Sequence, residues 1–296
     1  MMQSFLFSIL RLKFWVWSLF PFRALYVFSD IFYFLVYHVV GYRKKVVRQN
    51  MRNAFPHKTV AELRQLERDF YHHFCDIIFE TVKLLHISDE EMREHMVFTN
   101  ADEMALLYKD KKNVFVMLGH YGNWEWVTSM QLWTPPSVFM AQIYRPLKNK
   151  AADQFFLNLR GRFGTTGIAK NDTLRDIIRF RKEGKQVVIG FISDQTPSKN
   201  NLHYWTTFLH QDTPCLTGAE KIAQKIDANV VYLDVHRVKR GYYEATFRVI
   251  STDAKQTAPN EITESYMRLM EESILRDPAA WLWTHKRWKH QREAAL

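Results

Sequence analysis

Val114-Phe115-Val116-Met117-Leu118-Gly119-His120-Tyr121-Gly122-Asn123-Trp124-Glu125 is the stretch on which the fold turns. An unbroken apolar run with β-forming residues reaches a glycine, and an imidazole, a second glycine, a capping asparagine and a carboxylate follow within a few positions. The pattern reads as a buried strand, a tight turn and the start of a helix near 123–132. In open α/β sheets ligands bind outside the carboxyl ends of the strands, so His120 is delivered to the expected place for chemistry. Glu125 follows five residues later; on one regular helix the two side chains would diverge by about 140°. Gly122 frees the backbone at the turn, so the carboxylate is expected to swing back and orient the imidazole. The competing reading is a histidine that only hydrogen-bonds at a helix start, with Glu125 a surface residue.

Working outward, short apolar runs alternate with amphipathic segments. Expected strands are 113–119, 137–143, 186–193, 229–236 and 243–250. Expected helices lie near 101–109, 123–132, 149–163, 172–183, 215–227 and 260–275. This alternation predicts an α/β fold with a mostly parallel central sheet flanked by helices. The 243–250 run follows its predecessor across Lys239-Arg240-Gly241 and reads as the return arm of a hairpin. Arg145 closes the second expected strand, and Asp194, with Gln195 beside it, closes the third. Successive strands thus end in His, Arg and Asp, groups suited to the rim of an active site.

Upstream, residues 5–20 are apolar but interrupted by Arg11 and Lys13, and residues 24–42 are nearly continuous in Leu, Val, Phe, Ile and Tyr. One span, a pair of interfacial helices and two buried helices are the readings available; helices lying in one leaflet are favoured. Arg43, Lys44, Lys45, Arg48 and Arg52 follow directly, as a juxtamembrane basic cluster on the cytoplasmic side would. Thr59-Val60-Ala61-Glu62 then forms a capping box that opens a long amphipathic helix to about residue 86. The organisation is a hydrophobic membrane-associating segment over 1–42, a helical region over 43–95 and an α/β core over 96–296.

The chain has 296 residues, 41 Lys and Arg against 31 Asp and Glu, a net charge of +10, and nine Trp. Such a balance calls for anionic partners, and the aromatic content suits a lipid interface. Cys75 and Cys215 are far apart and read as packed thiols, which argues against a disulfide scaffold or a metal site. Adjacent His72 and His73 diverge around their helix and do not make a metal pair.

Gly119-His120-Tyr121-Gly122-Asn123-Trp124-Glu125 resembles the His-four-residues-acid motif of the lipid A biosynthesis acyltransferases, the lauroyl/myristoyl transferase family of Gram-negative bacteria. The likeness extends, in order, to Asn50-Met51-Arg52-Asn53-Ala54-Phe55-Pro56, Ile143-Tyr144-Arg145-Pro146-Leu147-Lys148-Asn149, Ser193-Asp194-Gln195 and Trp281-Leu282-Trp283-Thr284-His285-Lys286-Arg287-Trp288-Lys289. The wider glycerolipid acyltransferases usually carry Asp where Glu125 stands, with a Glu-Gly-Thr-Arg block that this sequence lacks. The resemblance implies a glycerolipid-acyltransferase-like fold at the cytoplasmic face of an inner membrane. It implies transfer of a fatty acyl chain from an acyl carrier protein thioester, the co-substrate, to a hydroxyl of a lipid A precursor, with no cofactor and no metal. His120 would be the general base and Glu125 its partner. Arg145, Asp194, Asn123 and Gln195 would form the substrate site, and backbone N–H groups from Tyr121 to Asn123 would face the oxyanion. Expected partners are acyl carrier protein, an anionic glycolipid or phospholipid acceptor and the membrane surface, but not nucleic acid. Two alternatives stay open: an acyltransferase for a lysophospholipid or other glycolipid, and a non-catalytic basic protein binding membrane or nucleic acid.

Overall fold

The computed structural model describes residues 2–109 and 112–292. Met1 and residues 293–296, which the expected 1–42 and 96–296 units include, lie outside the described residues. The main sheet has the order β1-β9-β8-β2-β5-β3-β4, with β1 Met96–Phe98, β2 Val114–Leu118, β3 Phe139–Tyr144, β4 Thr166–Ala169, β5 Val187–Ile192, β8 Asn229–Lys239 and β9 Tyr242–Ser251. All its pairings are parallel except the β8–β9 hairpin, which turns at Arg240-Gly241. A separate ribbon pairs β6 Trp205–Phe208 with β7 Gln211–Pro214. Every residue of β2 is buried, the condition of a central parallel strand covered on both faces.

All the expected strands are present. The sequence reading missed β1, β4 and the β6–β7 ribbon, whose three- and four-residue runs are too short to stand out from loops. The segment expected as a helix near 123–132 is instead a 3₁₀ helix, Trp126–Trp133, preceded by turns. Glu125 therefore lies in the turn ahead of that helix and not on a regular α-helix.

The helices are α1 Met2–Ser18, α2 Phe22–Tyr33 with a π-helical continuation Phe34–Val40, α3 Lys44–Ala54, α4 Val60–Lys83, α5 Asp89–His95, α6 Ala101–Lys109, α7 Lys150–Arg160, α8 Thr173–Lys182, α9 Gly218–Ile226 and α10 Glu261–Arg276. The capping box opens α4 as expected: Glu62 N–H donates to Thr59 Oγ1 at 3.3 Å, and Thr59 N–H to Glu62 Oε2 at 2.6 Å. Phe22–Val40 is long and apolar enough to cross a bilayer by length and composition. One side of it, with Leu25, Ser29, Tyr33, Val36 and Tyr37, is buried, while Val27, Ile31, Phe34, Val39 and Val40 are exposed. Ser29 Oγ donates to Asp76 at 2.7 Å and Tyr26 OH to Glu80 at 2.9 Å, so polar bonds fix the helix pair to α4. One continuous core runs from Tyr33 to Trp283. The basic cluster divides: Arg48 and Lys44 pair with the buried Glu67, and Arg43 donates to Thr284 O at 3.0 Å.

The turn after β2 depends on two glycines. Gly122 has φ +57°, and a Cβ there would lie 2.7 Å from Val235 Cγ1; a Cβ on Gly119 would meet Met270 at 2.5 Å. Gly122→Ala is expected to lower the unfolding free energy by about 1–3 kcal/mol, from left-handed strain and overpacking together. Adding Val235→Ala should relieve the overpacking part. Denaturant titration of both variants checks this, and equal stability of Gly122→Ala and the parent would contradict it.

Candidate active site

Register places the site. Leu118 of β2 pairs with Ile192 of β5, so two residues further on His120 and Asp194 emerge side by side at the carboxyl ends of adjacent central strands. Asp194 Oδ1 accepts from His120 Nδ1 at 2.7 Å, and Oδ2 accepts from the His120 backbone N–H at 3.0 Å and the Trp281 indole N–H at 2.8 Å. Burial by itself would push the Asp194 carboxyl up. The charge and hydrogen bonds of His120, with the indole of Trp281, overcome that and hold it down at about 2. A carboxylate fixed on Nδ1 keeps that nitrogen protonated and leaves the Nε2 lone pair for an incoming proton. Gln195 Nε2 lies 3.2 Å from His120 Nε2, and the Trp124 ring stands edge-on to the imidazole at 5.4 Å.

Glu125 does not orient His120. Its carboxylate is gripped by Arg160 at the end of α7, with Nε to Oε2 at 2.8 Å and Nη2 to Oε1 at 2.6 Å. Glu125 stands in the turn just before the 3₁₀ helix, where its carboxylate meets the end of α7. Asp194 in turn is not a solvent-facing substrate ligand, because it is buried and fully engaged. Asn123 is also buried, accepting from Trp126 N–H at 3.1 Å and donating to Glu80 at 2.7 Å, so it holds the turn. Arg145 is exposed at the end of β3 and has no hydrogen-bond or ionic partner among the described residues. Of the expected substrate ligands, Asp194 and Gln195 reach the imidazole, and Arg145 and Asn123 make no hydrogen bond to it. Gly122 N–H is taken by Ala280 O at 3.0 Å, which removes it from the expected oxyanion donors.

Residues that the sequence reading quoted or passed over complete the site. Leu282 N–H donates to His120 O at 3.1 Å, and Tyr121 bridges Trp281, so the closing segment lies antiparallel against the histidine turn. His285 sits nearby, but its Nε2 accepts from Thr196 N–H at 3.2 Å, and burial pushes its pKa down to about 4. It is neutral at pH 7 with its lone pair already committed. Beneath the turn, buried Glu80 accepts from Asn123 and, at 2.8 Å, from Tyr243 OH. Beside the site, Val116, Leu118, Gly190, Ile192, Trp124 and Met140 line an apolar cavity of 50 Å³.

Sequence comparison accords with this geometry. A family profile described as Bacterial lipid A biosynthesis acyltransferase matches residues 1–290. The chain belongs to that family. The Lipid A biosynthesis palmitoleoyltransferase of Escherichia coli (strain K12) is 21% identical over 278 residues, which is 93% of this chain and 88% of the relative. The Lipid A biosynthesis acyltransferase of Shigella flexneri matches with the same identity and coverage. Membership makes the protein an acyltransferase and excludes the non-catalytic alternative. Within this family member, the HX4E motif divides its two functional groups between separate partners, Asp194 for the His and Arg160 for the Glu.

Glu80 also gives the turn a pH dependence. Burial, reinforced by the negative charge of Asp76, raises its carboxyl to about 7 in spite of its hydrogen-bond donors. A carboxyl whose folded value lies above its unfolded value contributes stability at low pH, and that contribution is lost as pH rises from the unfolded value near 4.5 through 7. Glu80→Gln, which stays neutral, should therefore gain stability relative to the parent between pH 5 and pH 8. Denaturant midpoints of the two proteins that ran parallel with pH would contradict the assignment.

Proposed function

We propose that the protein transfers a fatty acyl chain from an acyl carrier protein thioester to a hydroxyl of a lipid A precursor at the cytoplasmic face of the inner membrane, with His120 as general base. The single observation that carries this reading is the 2.7 Å contact between His120 Nδ1 and buried Asp194, which leaves Nε2, beside Gln195, as the nitrogen that takes a proton. In the proposed step Nε2 takes the proton of the acceptor hydroxyl as its oxygen attacks the thioester carbonyl. Collapse of the tetrahedral intermediate expels the thiolate, which recovers the proton from the imidazolium. Gln195, beside Nε2, is the side-chain donor best placed for the developing oxyanion. The general base is worth about 10² to 10⁴ in rate and one oxyanion donor about 3–4 kcal/mol.

The acyl chain is assigned to the apolar cavity. At 50 Å³ it is a fraction of the roughly 150 Å³ that admits a benzene ring, so a chain entering it must displace side chains of the wall. The exposed apolar face of Phe22–Val40, opposite a face bonded to α4, suits a helix lying in one leaflet. A crossing helix would instead carry Asp30 and its partner Arg240 of the β8–β9 turn into the hydrocarbon, at several kcal/mol.

His120→Ala should abolish transfer from acyl carrier protein thioester without loss of fold, and near-parental turnover would refute the base. Asp194→Asn should cost about 10⁴ in rate by favouring the wrong imidazole tautomer. Glu125→Ala and Arg160→Ala should each lower turnover, while the double variant is no worse than the stronger single, because the residues act as one bidentate pair. Additive losses would assign Glu125 a role apart from Arg160. On the cavity face that Gly190 shares with Ile192, Gly190→Val should shift preference to shorter acyl donors in a competition assay of mixed thioesters; an unchanged preference would remove the chain from this cavity.

A further inference from the structure

Between α3 and the closing segment lies a second cleft, open to solvent, with a volume of 390 Å³. Its walls are Lys45, Val46, Gln49 and Asn50 on one side and Lys286, Trp288 and Lys289 on the other, so it holds ammonium groups and amides and no carboxylate. Its neighbours in the basic cluster are committed elsewhere: Lys44 and Arg48 belong to Glu67, and Arg43 to the Thr284 carbonyl. None of the Lys45, Lys286 and Lys289 ammonium groups has a hydrogen-bond or ionic partner among the described residues. The walls are rigid. Asn50 Nδ2 donates to Trp283 O and His285 O, both at 2.9 Å, which clamps α3 to the closing segment, and Trp288 Nε1 donates to Thr213 at 2.7 Å.

Resting on the transferase reading above, we propose that this cleft binds a phosphate group on the headgroup of the acceptor lipid. Its position in the chain supports the assignment from both ends. Thr196 Oγ1 donates to the Lys286 carbonyl at 3.2 Å and to the Arg287 carbonyl, and Thr196 directly follows Gln195 and Asp194, so one wall is continuous with the catalytic rim. The other wall, α3, begins immediately beyond Gly41, where the apolar Phe22–Val40 helix ends. A lipid whose chains lie in the leaflet and whose hydroxyl reaches His120 passes its headgroup between these two walls. Lysine ammoniums on separate backbones converge on a compact polyanion as point charges, and the Gln49 amide, with one N–H on Asn53 Oδ1, has a second N–H to donate. The Trp288 ring supplies the flat amphipathic wall common where protein meets the lipid interface.

The test is calorimetric titration of the full-length, detergent-solubilised protein with dihexanoyl phosphatidic acid, dihexanoyl phosphatidylcholine and inorganic phosphate. The parent should bind the phosphatidic acid more tightly than the choline lipid. Lys45→Gln/Lys286→Gln/Lys289→Gln should weaken phosphatidic acid binding by at least roughly tenfold, about 1.4 kcal/mol. A charge-matched control at remote exposed lysines, Lys182→Gln/Lys221→Gln/Lys225→Gln, should retain it. Equal loss in the control would reduce the effect to general surface charge and overturn the site. Inorganic phosphate binding as tightly as the lipid would make it a free-anion site and overturn the headgroup assignment. Unchanged phosphatidic acid binding in the cleft variant, with a raised KM for the acyl carrier protein thioester, would overturn it in favour of a carrier-docking surface. Binding is read without turnover, so failure of the transferase reading, seen as full activity of His120→Ala, is distinguishable from failure of this one.

Discussion

Everything at the site hangs on a buried carboxylate. Asp194 accepts from the His120 ring, from the His120 backbone and from Trp281, and those donors come from the end of β2 and from the closing segment. Burying an isolated carboxylate costs many kcal/mol, so each of these donors offsets part of that cost. The same bonds that keep Asp194 ionised therefore fix the imidazole, seal the closing segment over the turn and join β2 to β5 beyond the last ladder pair. Tyr266 OH, donating to Leu118 O at 2.9 Å, steadies the strand end from α10.

A second buried carboxylate performs a parallel task underneath. Glu80 of α4 accepts from Asn123, Tyr243 and Tyr26, linking the histidine turn, the β8–β9 hairpin and α2 at one point. The N-terminal helices are thus bonded into the catalytic core through polar contacts as well as packed on it. Arg240, shared between Asp30 and Asp76, adds a further tie at the hairpin turn. The exposed apolar face of these helices is thereby held in a fixed position relative to the histidine turn.

The long periodic elements were legible because each announces itself locally. β2 is an unbroken apolar run, α4 has a capping box and an apolar stripe, and the β8–β9 hairpin is marked by Arg240-Gly241. His120 was legible because glycines flank it at a strand end. Its partner was not: sequence proximity favoured Glu125, whereas the parallel register of β2 and β5 brings Asp194 from 74 positions away. Arg160 and Trp281 were illegible for the same reason, since each meets the site through the packing of a separate element. The residues from Gly122 to Glu125 form bends and turns before a 3₁₀ helix instead of a regular α-helix, and the Glu125 carboxylate meets Arg160 of α7.

What the sequence alone determined is the α/β alternation, the strand–turn bearing His120, the apolar and basic N-terminal face and, through its motifs, the acyltransferase family. These are properties of neighbouring residues and of their order. Only the tertiary structure decided which acid serves the imidazole, because a pair of side chains at the ends of parallel strands is specified by sheet order and register, and neither is written in the spacing of the chain.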